Sequence, residues 1–134
     1  MEDLIMLGRS FVQAMRNRQG FAHVDEFYSE NAESVEAVNP PGRDVRIAKG
    51  KAAIKAKRQN WAKAHEILRL DADGPYVHPP NRFGVRLEAE VINLATGKKT
   101  DLREVAILSV QDGKIVREEF FMFPKPENDR SQTY

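Results

Sequence analysis

The 134-residue chain is long enough to bury one sizeable core and too short for two domains. Lys and Arg number 21 against 20 Asp and Glu, and the net charge of +1 leaves no basic surplus for nucleic acid or an anionic membrane. There is no cysteine, which excludes disulfides, thiolate metal sites and a cysteine nucleophile.

Residues 4–18 carry Leu4, Leu7, Phe11 and Met15 at helical spacing, with Arg9, Gln13 and Arg16 off the stripe. The acidic Met1-Glu2-Asp3 and these arginines are unlike a secretory signal, and no apolar run is long enough to span a bilayer. The expected location is the cytoplasm. Gly20 ends the helix, and a second, short one over 21–28 places Val24, Phe27 and Tyr28 on one side and His23 on the exposed side. Ser29-Glu30-Asn31 reads as a turn into a strand over 32–38, which Asn39-Pro40-Pro41-Gly42 breaks, and a loop then runs to Lys49. A third helix covers about 50–65, with Ala53, Ile54 and Trp61 as its apolar side. Its Lys51, Lys55, Lys57, Arg58 and Lys63 read as a solvated face, a phosphate-binding surface being the lesser alternative. His65 is placed to cap that helix near its unpaired carbonyls.

The period then changes to two. Leu68, Leu70 and Ala72 alternate with Arg69, Asp71 and Asp73, and Gly74-Pro75 and Pro79-Pro80 frame a bent or interrupted strand at 76–78. Phe83, Val85, Leu87, Ala89 and Val91 alternate with Arg86, Glu88 and Glu90, a strand with one buried and one wet face. Ala95-Thr96-Gly97-Lys98 turns the chain into a strand over 102–110, and Asp112-Gly113 turns it again into 115–123. Both faces of these last strands are apolar, which suggests helices on one side and a homodimer through the outer face on the other, using Val105, Ile107, Phe121 and Phe123. Pro124 and Pro126 end the fold, so one domain over 1–126 is expected, with a polar tail at 127–134. Helices followed by a run of antiparallel strands make an α+β layout, a curved sheet wrapped around three helices with an apolar pocket inside.

The helix followed by Phe27-Tyr28 and a strand, and Gly50-Lys51-Ala52-Ala53-Ile54 opening the third helix, resemble the nuclear transport factor 2-like superfamily. Gly74-Pro75-Tyr76-Val77, Asn81-Arg82-Phe83 and the stretch from Gln111-Asp112-Gly113-Lys114-Ile115 to Glu118-Glu119-Phe120-Phe121 resemble its SnoaL-like branch, so that the likeness covers about residues 4–123. The resemblance implies a cystatin-like cone with an apolar pocket, usually dimeric through the outer sheet face. It does not choose a reaction, because members include cyclases, isomerases, epoxide hydrolases, dehydratases and non-catalytic subunits.

Two registers of the last hairpin are open. A two-residue turn puts Glu104 across from Phe121, whereas a three-residue loop with a bulge puts Ala106 across from Glu118 and Glu104 across from Phe120. The resemblance favours the second, with Val116, Glu118, Phe120 and Met122 inside. The pocket is then lined by Phe11, Met15, Trp61, Phe83, Val85, Leu87, Ala89, Ala106, Phe120 and Met122, with Tyr28 on its helical wall.

The polar intruders are Glu104 and Glu118, two carboxylates that burial and like charge would push toward the proton. Rim positions or pairing with Arg86, Arg103 or Arg117 is the competing reading. The positions where ketosteroid isomerases keep a Tyr and two Asp hold Phe11, Glu36 or Ala37, and Ala106; the epoxide-hydrolase positions hold Leu87, Ala89 and Phe120. Those two chemistries are therefore not expected, while Glu118 matches a last-strand acid of the cyclases. The expectation is a pocket for a small apolar, ring-bearing or lipid-like molecule. If it is an enzyme, it works without a cofactor or metal, with Glu118 or Glu104 as proton acceptor and Tyr28 or His78 as helper. The alternative is a non-catalytic binding module or accessory subunit.

Overall fold

In the computed structural model, which describes residues 1–18, 22–38 and 46–123, the first apolar stripe forms α1 (Glu2–Arg16). It buries Leu4, Gly8, Phe11, Val12 and Ala14, and it carries Glu2 and Asp3 in its first turn and Arg16 in its last, as the helix dipole favours. Gly8 allows the helix to lie directly on the sheet: a Cβ there would stand 2.6 Å from the Pro75 Cβ. The short α2 (Ala22–Phe27) leads without a turn into β1 (Tyr28–Val35), so Ser29-Glu30-Asn31 is strand and Tyr28 opens a strand instead of ending a helix. The expected loop before Lys49 contains β2 (Ile47–Lys49), paired antiparallel to β1. Then come α3 (Lys51–Ala64), β3 (His65–His78), β4 (Arg82–Asn93), β5 (Lys99–Gln111) and β6 (Lys114–Met122). Gly20 and Phe21, the break at Asn39-Pro40-Pro41-Gly42, the prolines Pro124 and Pro126 and the tail 127–134 lie outside the described residues.

The six strands form one curved sheet in the order β2-β1-β6-β5-β4-β3. It is not closed, since β2 and β3 are its edges. Neighbours run antiparallel except β1 and β6, which run parallel and bring the N-terminal strand against the C-terminal one. The inner face presents Tyr28 and Ala32 from β1, Phe83 and Val85 from β4, Ala106 and Leu108 from β5 and Ile115 from β6, all buried with Phe11, Val12, Val24 and Ile54 of the helices. Phe11 meets Phe83 edge to face at 5.8 Å between centroids, a favoured aromatic geometry. The α+β expectation, a curved sheet wrapped on one side by three helices, is what the chain forms.

Two irregularities decide which side chains face inward. In β3 the register against β4 shifts between Ile67 and Arg69, so Leu68 turns to solvent while Leu70 pairs with Ala89 and Ala72 with Leu87. In the last hairpin, Asp112 and Gly113 both have positive φ (52° and 75°), the mark of a tight two-residue turn. Gln111 pairs with Lys114 and Val110 with Ile115, and then the register shifts so that Ser109 pairs with Arg117. The extra residue is Val116, a bulge that reverses the parity of the rest of the strand. Neither expected register is correct as drawn: Leu108 opposes Glu118, Ala106 opposes Phe120 and Glu104 opposes Met122. The inward set is nevertheless Glu118, Phe120 and Met122, with Ile115 and not Val116 buried. Among the described residues no helix is long and apolar enough to cross a membrane.

Candidate functional site

Helix α3 buries Ile54, and the positions three and four residues on, Lys57 and Arg58, share its inward face. These two cations therefore reach under the sheet instead of joining the solvated lysines. On β1, Ser34 is fully buried and stands directly beside Glu118 of β6 in the parallel register. Tyr28 at the start of the same strand is 1% exposed. On α2, His23 is buried and packs edge-on against Phe11 at 5.5 Å, correcting the exposed placement expected for it.

The fully buried Glu118 collects three groups. Its Oε1 accepts from the Tyr28 hydroxyl and from Arg58 at 2.5 Å, and its Oε2 accepts from Ser34 Oγ at 2.6 Å. Arg58 also donates to the Tyr28 hydroxyl at 3.0 Å and to His23 Nε2. Since a guanidinium only donates, that histidine nitrogen accepts, leaving Nδ1 as the protonated one. Burial pushes the Glu118 carboxyl up, but Arg58, Lys57 and the Ser34 and Tyr28 hydroxyls outweigh it and hold it below the usual carboxylate range. Burial, with Glu118 beside it, raises the Tyr28 hydroxyl well above an ordinary tyrosine. Glu118 is thus a fixed anion, a correction to its expected role as a carboxyl poised to exchange a proton.

The network continues outward through Lys57, which donates to Ser34 Oγ and to Glu36 Oε1 at 2.5 Å, and whose ammonium lies 5.5 Å from the Phe120 ring centre. The half-buried Glu104 stands across from Leu87 on β4 and Met122 on β6. Burial first, then Glu36 and Glu118, push its carboxyl up to about 7 against the opposing pull of Lys57. Glu36, Phe120 and Met122 line a cleft of about 260 Å³ whose remaining wall is Val35, Ala37, Arg46, Glu119 and Phe121. A polar track therefore runs from a buried ion pair to a surface cleft.

The remaining expected site residues are divided. Phe11, Phe83, Val85, Ala89 and Ala106 are buried, and Met15, Leu87 and Phe120 are half-buried beside the core. Trp61 is not a pocket residue: it is 37% exposed and stacks on His65 at 4.4 Å where α3 turns into β3. Lys57 and Arg58 occupy the inward positions of the turn before it. His65 does end the helix, with Nδ1 2.9 Å from the Trp61 carbonyl. Met122 is as exposed as Trp61 and lines the cleft rather than an interior pocket. His78 is exposed at the end of β3 beside Arg82, because Val77, its neighbour, takes the core-facing turn of the pleat. It takes no part in the network. Sequence reasoning passed over Arg58, Lys57, Ser34 and His23; for the first two, spacing from Ile54 was the available signal. Among the described residues no group of His, Asp and Glu is arranged to hold a metal ion.

A sequence profile of the SnoaL-like domain matches residues 6–122. No curated protein matches the chain. Among solved structures, a protein from Mesorhizobium loti provisionally named a SnoaL-like polyketide cyclase is 27% identical, with a TM-score of 0.77 over 84% of this chain and 93% of its own. A Bacillus subtilis protein provisionally named an isomerase is 21% identical, with a TM-score of 0.72 over 92% and 88% of the two chains. A Catenulispora acidiphila protein of ketosteroid isomerase-like fold, solved with trimethylamine, shares the fold at 9% identity and a TM-score of 0.65, over 83% and 80%. With the curved sheet, the three helices and a profile match across nearly its whole length, the chain belongs to the SnoaL-like domain family.

Proposed function

We propose that this protein takes a small, mostly apolar molecule and performs acid/base chemistry of isomerase or cyclase type on it, with Glu104 exchanging the proton and Glu118 serving as a fixed anion. The observation that carries this reading is the half-buried Glu104, which stands across from Met122 of the cleft wall and whose carboxyl burial pushes up to about 7. A carboxyl that titrates near the working pH is suited to both taking and returning a proton. Phe120, Met122 and Val35 supply an apolar wall for a ring or an alkyl chain. The cyclase in the name of the Mesorhizobium loti protein, which also carries the label carbohydrate phosphatase, and the isomerase in that of the Bacillus subtilis protein support this class of reaction.

The test is deuterium exchange at the carbon next to a carbonyl, followed by proton NMR in heavy water with β-tetralone, a two-ring ketone. Wild-type protein accelerates the exchange, with a rate that rises as pH passes through about 7, and Glu104→Gln abolishes the acceleration. Equal rates with both proteins would remove Glu104 from the chemistry. A second reading, a non-catalytic binding module or accessory subunit, is favoured by the way Arg58, Tyr28 and Ser34 lock Glu118. Only one carboxyl then remains to exchange. On that reading Glu104→Gln changes ligand affinity, and no exchange is seen with either protein.

A further inference from the structure

Strands β1 and β6 diverge after Val35 and Glu119, their last partners. Beyond that pair β6 runs on to Met122 beside β5, while the Glu36 N–H donates to the Arg46 carbonyl at 2.8 Å, just ahead of β2. The cleft of about 260 Å³ lies in this divergence, with Val35, Glu36, Ala37 and Arg46 on one side and Glu119 to Met122 on the other. Three charged groups line it. Glu36 is 2.5 Å from the Lys57 ammonium, and Glu119 lies 3.9 Å from the Arg117 guanidinium. The exposed Arg46 makes one bond, to the Ala37 carbonyl at 3.3 Å, and no carboxylate among the described residues lies within ion-pair distance of it. A guanidinium has five N–H donors, so most of the capacity of Arg46 is open to a ligand.

We propose that the cleft selects an aromatic carboxylic acid as its monoanion, with the ring on Phe120 and Met122 and the carboxylate on Arg46. This rests on the reading that the cleft takes a small apolar molecule, and it does not need Glu104 to exchange a proton. Both acids of the lining already face a cation, which leaves the single positive charge of Arg46 to be matched. A second negative charge on the ligand would meet Glu36 and Glu119 instead, and an amine would find both acids engaged. Carboxylate suits Arg46 in shape as well, because the planar fork of a guanidinium fits its two oxygens. The cleft is smaller than the roughly 300–1,000 Å³ of sites for drug-sized ligands, which limits the occupant to one or two rings.

The experiment is methionine-methyl NMR of carbon-13-labelled protein titrated with 2-naphthoate, neutral 2-naphthamide and the dianion 2-naphthyl phosphate, with the Met122 signal assigned by its loss in Met122→Leu. Wild type binds the naphthoate about fivefold more tightly than the amide, the scale of an exposed ion pair, and high salt removes the difference. Arg46→Gln weakens the naphthoate alone and makes acid and amide equal. A preference for the acid that survives Arg46→Gln overturns the assignment, and so does a phosphate that binds more tightly than the naphthoate. Equal binding of acid and amide to wild type, with Met122 shifted by both, ends the charge selection while upholding the cleft as a site for apolar molecules. A Met122 signal that none of the three probes moves overturns both.

Discussion

Arg58 and Glu118 form an ion pair across 60 residues of sequence in which the carboxylate has no exposed surface. The guanidinium comes from α3 and the carboxylate from β6, so the pair joins the helical layer to the sheet. Such a pair costs desolvation on both sides, and its hydrogen bonds to Tyr28, Ser34 and His23 are what make that burial tolerable. Removing one partner is far worse than removing both.

The first prediction follows from that asymmetry. Arg58→Met should destabilise the protein by about 3–5 kcal/mol in urea unfolding at neutral pH, because it strands a buried charge. Adding Glu118→Gln to it should recover a large part of the loss. A double variant no more stable than Arg58→Met would mean that the pair's charge is not the issue. Glu118 titrates lower in the folded state than in the unfolded chain, so its contribution is complete above the unfolded value and is lost as pH falls through the folded one. Wild-type stability should therefore drop in acid, and the double variant should lack that part of the drop.

Glu104 gives the opposite dependence. Its folded carboxyl sits at about 7 against an ordinary 4.5, so its favourable contribution is complete below 4.5 and is lost as pH rises through 7. The loss is at most about 3 kcal/mol by linkage and less after solvent screening, since the group is only half-buried. Denaturant midpoints measured between pH 4.5 and 8 should fall more for wild type than for Glu104→Gln. Parallel curves would place Glu104 in contact with water.

Much of the fold was legible because periodicity is a strong signal where one face is buried. The run from Phe83 to Val91 and the stripe through Leu4 and Phe11 show on sight which side faces the core. The site was less legible, for two physical reasons. Lys57 and Arg58 were assigned to solvent by residue type, although their spacing from Ile54 put them inward. The Val116 bulge inverts a strand's parity with one unpaired residue, and neither composition nor spacing announces it. Glu118 was assigned inward by analogy, while the partners that fix its charge come from helices whose placement no strand pattern reveals.

Phe83→Ala should cost about 3–5 kcal/mol, since the ring is 1% exposed against Phe11 and Val85. Trp61→Ala should cost no more than about 1 kcal/mol, the scale of one exposed aromatic stack. Thermal unfolding of the two variants side by side checks both. A large loss for Trp61→Ala would mean that its stack on His65 anchors the turn into β3.

We also propose a homodimer through the outer sheet face. Phe121 is 48% exposed opposite Val105, and the nearby Phe123 ring lies under the guanidinium groups of Arg86 and Arg103. Sedimentation at micromolar concentration should give a dimer for wild type and a monomer for Phe121→Glu. A wild-type monomer would end this proposal.

The parallel pairing of β1 with β6 makes Ser34 and Glu118 neighbours despite a separation of 84 residues. Every earlier element can form before that contact exists, and the long closure is the slow kind of step in folding. Until the last strand docks, Tyr28, Ser34 and Arg58 lack the Glu118 carboxylate they gather around. The site and the seam that closes the chain are thus the same set of atoms, so a molecule that stabilises the site should also slow hydrogen exchange along β1 and β6, far from where it touches the protein.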